Sequence, residues 1–331
     1  MVLVGVVILL AILWGTYWYG ANQIGAALLD RGAAAAAARG YSAECDDIAS
    51  GGFPFSISLS CSRARLAGGG GVQAAIDGFS ATTPLYRPWT LRSKADGPLA
   101  VSLPTRTSDI TASWKRAETT IDAGIGGLSG IATRLEGLQI DLPAGAAAQA
   151  FDGLSLALGE VRVMPAADDD YRISAMVQGV ALESESGRAL PQIDFDVDLS
   201  ILDLGNSLGL DPRQVASAWI ALGGNLRIDE LTVVAGTVSA NAAGALALSA
   251  DGKLSGDVDV TIRGIEAVPD LVESFAPKAR DQTEQIVAAV VAFTRPVEAP
   301  EGPVRQMTLL VRESVVSIGI LPIGVIPTLA F

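Results

Sequence analysis

Residues 226–264, LRIDELTVVAGTVSANAAGALALSADGKLSGDVDVTIRG, alternate apolar and polar side chains between clusters of Gly, Asn and Asp. Successive side chains of a strand leave from opposite faces, so this period of two suits a half-buried strand and would leave a helix without an apolar stripe. The stretch reads as three or four antiparallel strands joined by tight turns at Asn241 and at SADGKLSG. The same alternation pairs YRISAMVQGVALES (171–184) with PQIDFDVDLSILDL (191–204), and PVRQMTLLVRESVVSIGILPIG (303–324) reads as a closing hairpin. More strands are expected in residues 97–124 and from LEGLQIDL (135–142) to LSLALGEVRV (154–163). Few helices separate them, so the sheet is expected to be antiparallel. Two helices stand out. LDPRQVASAWIALGG has Asp211 as N-cap, Pro212 in its first turn and a stop at Gly223–Gly224. Residues 269–295 form a longer one, kinked or split at Pro277, with Ile286, Val287, Val290 and Val291 as a stripe that packs on the sheet.

The chain begins with a different kind of segment. Residues 2–21, VLVGVVILLAILWGTYWYGA, carry no charge, and the first charged side chains are Asp30 and Arg31. At ~1.5 Å per residue the run matches a hydrocarbon core of ~30 Å. Its far end holds Trp14, Tyr17, Trp18 and Tyr19, the amphipathic rings that collect at a membrane interface. A cleaved signal peptide would have a shorter apolar core followed by small residues, so an uncleaved single-span anchor is the preferred reading. The alanine-rich residues up to Arg39 extend it as a helical stalk ending at Gly40, lifting the rest off the bilayer.

With the body outside the reducing cytosol, the two cysteines of the chain, Cys45 and Cys61, can be oxidised. YSAECDDI and FPFSISLSCSRARL read as strands and ASGGFP as the turn between them, a hairpin centred near Phe53 that brings the cysteines opposite each other. A structural disulfide follows; two separate buried thiols are the alternative.

Several pieces carry a resemblance: the N-terminal span, GFPF (52–55), PLYRPW (84–89), GALALSADGKLSGDVDV (244–260) and the terminal SVVSIGILPIGVIPTL (314–329). In order and pattern the chain resembles the bacterial domain-of-unknown-function family 2125 over nearly its whole length. GFPF and the G-x-L-x-L-x-x-x-G-x-L-x-G pattern are also similar to elements of AsmA-type envelope proteins. The resemblance implies a membrane-tethered, periplasmic, β-rich protein and supplies no catalytic residues.

The residues themselves offer little catalytic chemistry. There is no histidine, which removes Ser–His–Asp triads and His-based zinc sites. A net charge of −13 argues against nucleic-acid binding. Asp168, Asp169 and Asp170 read as a solvated turn. Asp194, Asp196 and Asp198 alternate along the wet face of a strand, and Leu199 and Gly205 break the calcium-loop pattern. The glycines at 68–71 lack the GK[ST] ending of a phosphate loop, and GGLSG around Ser129 departs from a nucleophile elbow. Phe53, Phe55, Trp89 and Trp114 are either core anchors or the lining of an apolar surface.

The expected fold is α+β: an N-terminal transmembrane helix followed by an extended, curved, mostly antiparallel β-sheet body with two helices packed on it. Residues 1–39 are the anchor and stalk, and 40–331 the periplasmic β-rich domain, compatible with two similar halves at about 40–165 and 170–331. Half the residues are hydrophobic and mean hydropathy is +0.40, a surplus lying partly in alternating strands. That surplus suggests an apolar groove, with Phe53, Phe55, Leu246, Leu248, Val258, Val260 and Ile262 as its candidate lining. The expected protein is a non-enzymatic, single-pass protein of the bacterial inner membrane, held through residues 2–21, with its body in the periplasm. It needs no cofactor or metal, and its groove takes lipid or another apolar ligand in envelope homeostasis. The alternative is an assembly factor that binds another envelope protein.

Overall fold

The computed structural model describes residues 15–16, 18–19, 34, 37, 40–68, 71–104, 109–124, 127–142, 151–167, 170–184, 190–204, 212–221, 223–294, 296–300 and 302–328. It is mostly antiparallel β-sheet with helices packed on it. The chain splits into two compact units, residues 1–124 with 133–153, and residues 125–132 with 154–331. Most of the expected membrane span and stalk, with Trp14 and Tyr17, lies outside the described residues. Among those described, no helix is long and apolar enough to cross a membrane.

The first unit is built on two long strands, β5 (Gln73–Pro84) and β6 (Thr90–Ser102), paired antiparallel. The other edge of β5 takes β3 (Ser56–Cys61) and β4 (Arg63–Ala67). β1 (Ser42–Asp46) lies on β4 and β2 (Ala49–Gly51) on β3. β6 pairs in turn with β7 (Ile110–Ser113) and β8 (Arg116–Gly124). The Ser113 end of β7 meets β9 (Gly127–Asp141) at Gln139.

The expected hairpin around the cysteines is present but broken in two. Strand pairing runs Ser42–Asp46 against Arg63–Ala67, stops, and resumes as Ala49–Gly51 against Ser58–Ser60. Asp47 takes a left-handed φ of 51° at the break. There the Ser62 amide and hydroxyl donate to the Asp46 carbonyl at 3.0 and 3.1 Å. Cys45 therefore faces Ala64 and Cys61 faces Phe79, so the two are not register partners. They are joined nonetheless by a disulfide, with Cα atoms 5.7 Å apart, which ties the ends of the interrupted hairpin together.

In the second unit β10 (Phe151–Pro165) is followed by β11 (Tyr171–Ser184), β12 (Ile193–Leu202), β13 (Asn225–Ala235), β14 (Val238–Leu248) and β15 (Leu254–Arg263). From β11 to β15 each strand pairs antiparallel with the next. β15 then pairs with β17 (Gly302–Arg312), whose other edge carries β16 (Pro296–Ala299) and β18 (Val315–Ile318), with β19 (Leu321–Val325) outside. Residues 226–264 thus supply three strands. The turn expected at Asn241 is instead at Gly236, where φ is 60°. Asn241 sits in mid-strand, its side-chain oxygen accepting from the Thr232 hydroxyl at 3.2 Å, so a side-chain partner across the ladder replaces a turn.

Among the described residues of this unit there are three α-helices, α1 (Pro212–Ala221), α2 (Val268–Phe275) and α3 (Arg280–Phe293). Asp211, the expected cap of α1, lies outside the described residues. The long helix is split, because Pro277 opens a 3-10 turn, Pro277–Ala279, between α2 and α3. Arg280 fixes the joint by pairing with Asp270 and Glu284, both at 2.9 Å, and with Glu273. Val290 of the predicted stripe is buried. The last carbonyls of α3 receive the Arg305 guanidinium, 3.3 Å from Val291 O and 2.9 Å from Thr294 O, a cation at the negative end of the helix dipole. Trp219 of α1 donates its indole N–H to the Leu202 carbonyl at 2.8 Å.

The glycines of GALALSADGKLSGDVDV have a spatial reason. Gly256 is the register partner of Leu246, and Gly244 of Val258. A Cβ at Gly256 would lie 2.0 Å from the Ala245 carbonyl oxygen, and one at Gly244 2.3 Å from that of Asp257. The close approach puts Leu246 and Val258 into one cluster with Val311, edged by Ile228, Leu309 and Ile326.

Two outcomes are expected. Gly256→Ala should cost about 1–3 kcal/mol in chemical denaturation, because the neighbouring strand must shift. Reducing the disulfide, or Cys45→Ser, should cost roughly 2–4 kcal/mol, because the unfolded chain gains more freedom than the folded hairpin does. Free thiols in exported, non-reduced protein would contradict the second.

Candidate functional site

The register of the first unit sorts its side chains by chemistry. Ile57 pairs with Thr83, Leu59 with Ala81 and Cys61 with Phe79. Phe79 pairs onward with Ala95, and Leu91 with Ile121. Register partners and every second residue share a face, so Ile57, Leu59, Phe79, Leu91 and Ile121 form one apolar surface. Ser58, Ser60, Thr82, Arg92, Lys94 and Glu118 occupy the other. The polar side carries a row of charge that runs across strands, Lys94 to Glu118 at 3.0 Å and Arg116 to Glu136 at 3.8 Å, and along them, Arg116 to Glu118 at 3.9 Å and Arg134 to Glu136 at 2.6 Å. The hydrogen bond from the Lys94 ammonium, with its charge and those of Arg116 and Arg134, holds the Glu118 carboxyl below its ordinary range. Each such exposed pair contributes little to stability, but the row keeps that face wet. The apolar face is half open: Phe79 is 40% and Leu91 39% exposed.

One end of this sheet is a cluster of aromatic tips. Gly52 opens the turn after β2 with φ of 95°, and a Cβ there would stand 2.7 Å from the Ser56 carbonyl oxygen. The amides of Phe55 and Ser56 donate back to the Gly52 carbonyl at 3.2 and 2.9 Å. The turn is tied to the β5–β6 loop by the Leu85 amide, which donates to Phe55 O at 2.9 Å. Leu85 is buried, while Phe53, Phe55, Tyr86 and Trp89 are 61%, 66%, 69% and 58% exposed. Trp18, expected at the membrane boundary, lies here. Its indole N–H donates to the Ser56 carbonyl at 2.7 Å, and its ring meets Phe53 edge-on with centroids 5.5 Å apart. Tyr19, beside it in sequence, is exposed. Trp114 instead turns inward over Gly97 and donates to the Ala95 carbonyl at 2.8 Å. Near the opposite end, a cleft of about 320 Å³ is lined by Glu44, Arg65, Leu66, Gln73, Ser102 and Asp109 among others, and its Arg65 is engaged bidentately by Asp46.

In the second unit the candidate groove residues are placed differently from the expectation. Leu246, Leu248 and Val258 are buried, the first and third in the cluster described above, with Val260 packed against its edge. The register puts Val258, Val260 and Ile262 on the face that holds Leu246 and Leu248. The positions of Leu246, Leu248, Val258 and Val260 are thus filled by side chains of the same chain and form core instead of lining an opening, while Ile262 is half-buried. Phe53 and Phe55 are the candidate lining residues that remain open.

The motifs read as ordinary structure take such places. Ser129 is an exposed residue inside β9, and Gly68 closes a tight turn by donating to the Val72 carbonyl at 2.9 Å. Asp194 accepts the Gly179 amide at 2.6 Å beside a bulge, and Asp170 accepts the Asp203 amide at 2.9 Å. Asp168 and Asp169 lie outside the described residues. Sequence reading missed one polar group. Asp229 sits in the register break opposite Asp198 and Leu199, where it accepts from the buried Ser200 hydroxyl at 2.5 Å and from Arg227 at 2.6 Å. Burial pushes its carboxyl up, but the Ser200 and Arg227 hydrogen bonds and the Arg227 charge outweigh it and leave the group below its ordinary range. Among the described residues no group of three or more Cys, Asp or Glu side chains could hold a metal ion.

A family model described as "Uncharacterized protein conserved in bacteria (DUF2125)" matches residues 17–327, and the chain belongs to that family. No curated protein and no solved structure matches the chain.

The Asp229 geometry makes a pH prediction. A carboxyl depressed in the fold stabilises it fully above the unfolded value near 3.8, and that contribution disappears as pH falls through the lower folded value. Asp229→Asn should therefore lower stability at neutral pH and flatten the decline below pH 4, measured as melting temperature against pH. An unchanged acid limb would contradict it.

Proposed function

We propose that this family member is a non-enzymatic protein tethered to the bacterial inner membrane through residues 2–21, whose periplasmic body holds lipid or another apolar ligand on the half-open face of its first unit. The observation that supports the reading most directly is the separation of faces there: Ile57, Leu59, Phe79, Leu91 and Ile121 on one side, a charge ladder on the other. Leaving such side chains in water forgoes ~1.5–3 kcal/mol each, so a face that keeps Phe79 and Leu91 about 40% exposed is suited to a partner that covers them. An acyl chain suits it because a row of mostly aliphatic and small side chains offers dispersion contact, and the hydroxyls of Ser93 and Thr119 on that face are already hydrogen-bonded within the protein. The charge-free N-terminal run, ending in Trp14, Tyr17, Trp18 and Tyr19, supports the tether.

The test compares lipid bound per protein for the full chain and its variants by mass spectrometry after organic extraction. Phe79→Asp and Leu91→Asp should lower it several-fold with the fold retained, since both side chains already meet solvent. Leu246→Asp should unfold the second unit, because it buries an unpaired charge. If bound lipid stays at the wild-type level while a co-purifying envelope protein is lost, the face serves assembly instead.

A further inference from the structure

We propose that Phe53, Phe55, Tyr86 and Trp89 insert into the headgroup–acyl boundary of the bilayer, so that the first unit rests end-on upon the membrane instead of being lifted from it by a stalk. The inference rests on the membrane-tether reading above and adds a second point of attachment to it.

Exposure is the first argument. The four rings are 58–69% exposed, more than Phe79 or Leu91 along the strands, and they come from two separate turns at the same end of one sheet. That exposure is built into the backbone. Besides the Leu85 amide on Phe55 O, the Arg87 amide donates to Pro84 O at 3.0 Å, the Thr90 amide to Arg87 O at 3.0 Å, and the Ala123 amide to Trp89 O at 2.9 Å. The rings are therefore held outward by a hydrogen-bonded scaffold. Tyr and Trp in particular favour a boundary where one edge is apolar and the other wet.

Depth is the second argument. Trp18 belongs to the aromatic end of the apolar run, and it touches Phe53 and the Ser56 carbonyl directly. Whatever level Trp18 takes at the end of a membrane span, Phe53 takes too. The turn bearing Tyr86 and Trp89 is bonded to the turn bearing Phe55, so it shares that level.

Polarity along the strands is the third argument. From Pro84 to Gln73 β5 covers roughly 40 Å at ~3.3 Å per residue. Its far end meets Glu44, Arg65 and Asp109, whereas the charged residue within the aromatic β5–β6 turn is Arg87, a cation suited to anionic headgroups. Asp122, beside that turn, has its carboxylate engaged by the Thr90 hydroxyl at 2.5 Å.

The test places p-benzoylphenylalanine singly at Phe53, Tyr86, Trp89 and, as a control at the other end, the 52% exposed Leu66. The full chain is reconstituted in vesicles of phosphatidylethanolamine and phosphatidylglycerol, irradiated, and read by mass spectrometry for lipid adducts. Adducts several-fold more abundant at the three tips than at Leu66 are expected. Equal adduct levels at all four positions, in protein that stays in the vesicles through carbonate washing, would overturn the end-on placement and leave the tether standing. Cross-links at the tips to protein instead of lipid would overturn it as well, in favour of a protein contact. Protein released by carbonate would overturn the tether itself, and with it the shared depth of Trp18 and Phe53.

Discussion

The constraint on which the rest of this structure depends is the pairing of long antiparallel strands whose two faces differ in chemistry. Among the described residues no large side chain is less than 2% exposed. A deep core is therefore not what holds the units together. Cross-strand pairs do it, each modest, repeated along every ladder, with backbone hydrogen bonds satisfied between neighbours. The buried cluster of Leu246, Val258 and Val311 forms where neighbouring strands of one sheet put apolar side chains on the same face, with Val316 of β18 and Ile326 packed against it. Where nothing described covers it, as at Phe79 and Leu91, the apolar face stays half open.

That distinction explains how far the sequence could be read. Period-two alternation states which residues share a face, and it located β11, β12, β15 and the closing strands, though not the turn between β13 and β14. The helix over Pro212–Ala221 and the split at Pro277 were legible from proline and glycine, which act on the local backbone. Alternation does not state what lies over a face. Leu246 and Val258 have the same local pattern as Leu91 and Ile121, yet the first pair is closed by residues more than fifty positions further along the chain. Only long-range pairing, β15 with β17, brings those residues alongside.

The misplaced turn and the displaced cysteine register share a cause. Asn241 favours turns by composition, but Gly236 reaches a left-handed φ at less cost and takes the turn. Once the hairpin begins there, Asn241 is carried into the ladder opposite Thr232. Around the cysteines, Asp47 at φ of 51° inserts a break that a count of residues from Phe53 does not reveal. The bridge survives the shift because a disulfide needs neighbouring Cα atoms, not register partners. At 5.7 Å, Cys45 and Cys61 meet that need across the break.

The aromatic tips were visible in sequence only as letters with two readings, core anchor or exposed lining. Their spacing gives no help, since Trp114 and Trp89 look alike as isolated aromatics in a strand-rich region. What separates them is the backbone beneath. Trp114 lies over Gly97, where the missing side chain makes room for an indole, and its N–H finds the Ala95 carbonyl. Trp89 stands at the end of a turn whose amides are already spent on Arg87, Pro84 and Phe55 carbonyls, with the ring directed outward. A turn that satisfies its own backbone and still presents its rings to solvent has put those rings where they meet something beyond the sheet. Trp18, from the aromatic end of the apolar run over residues 2–21, is in contact with one of those rings, Phe53.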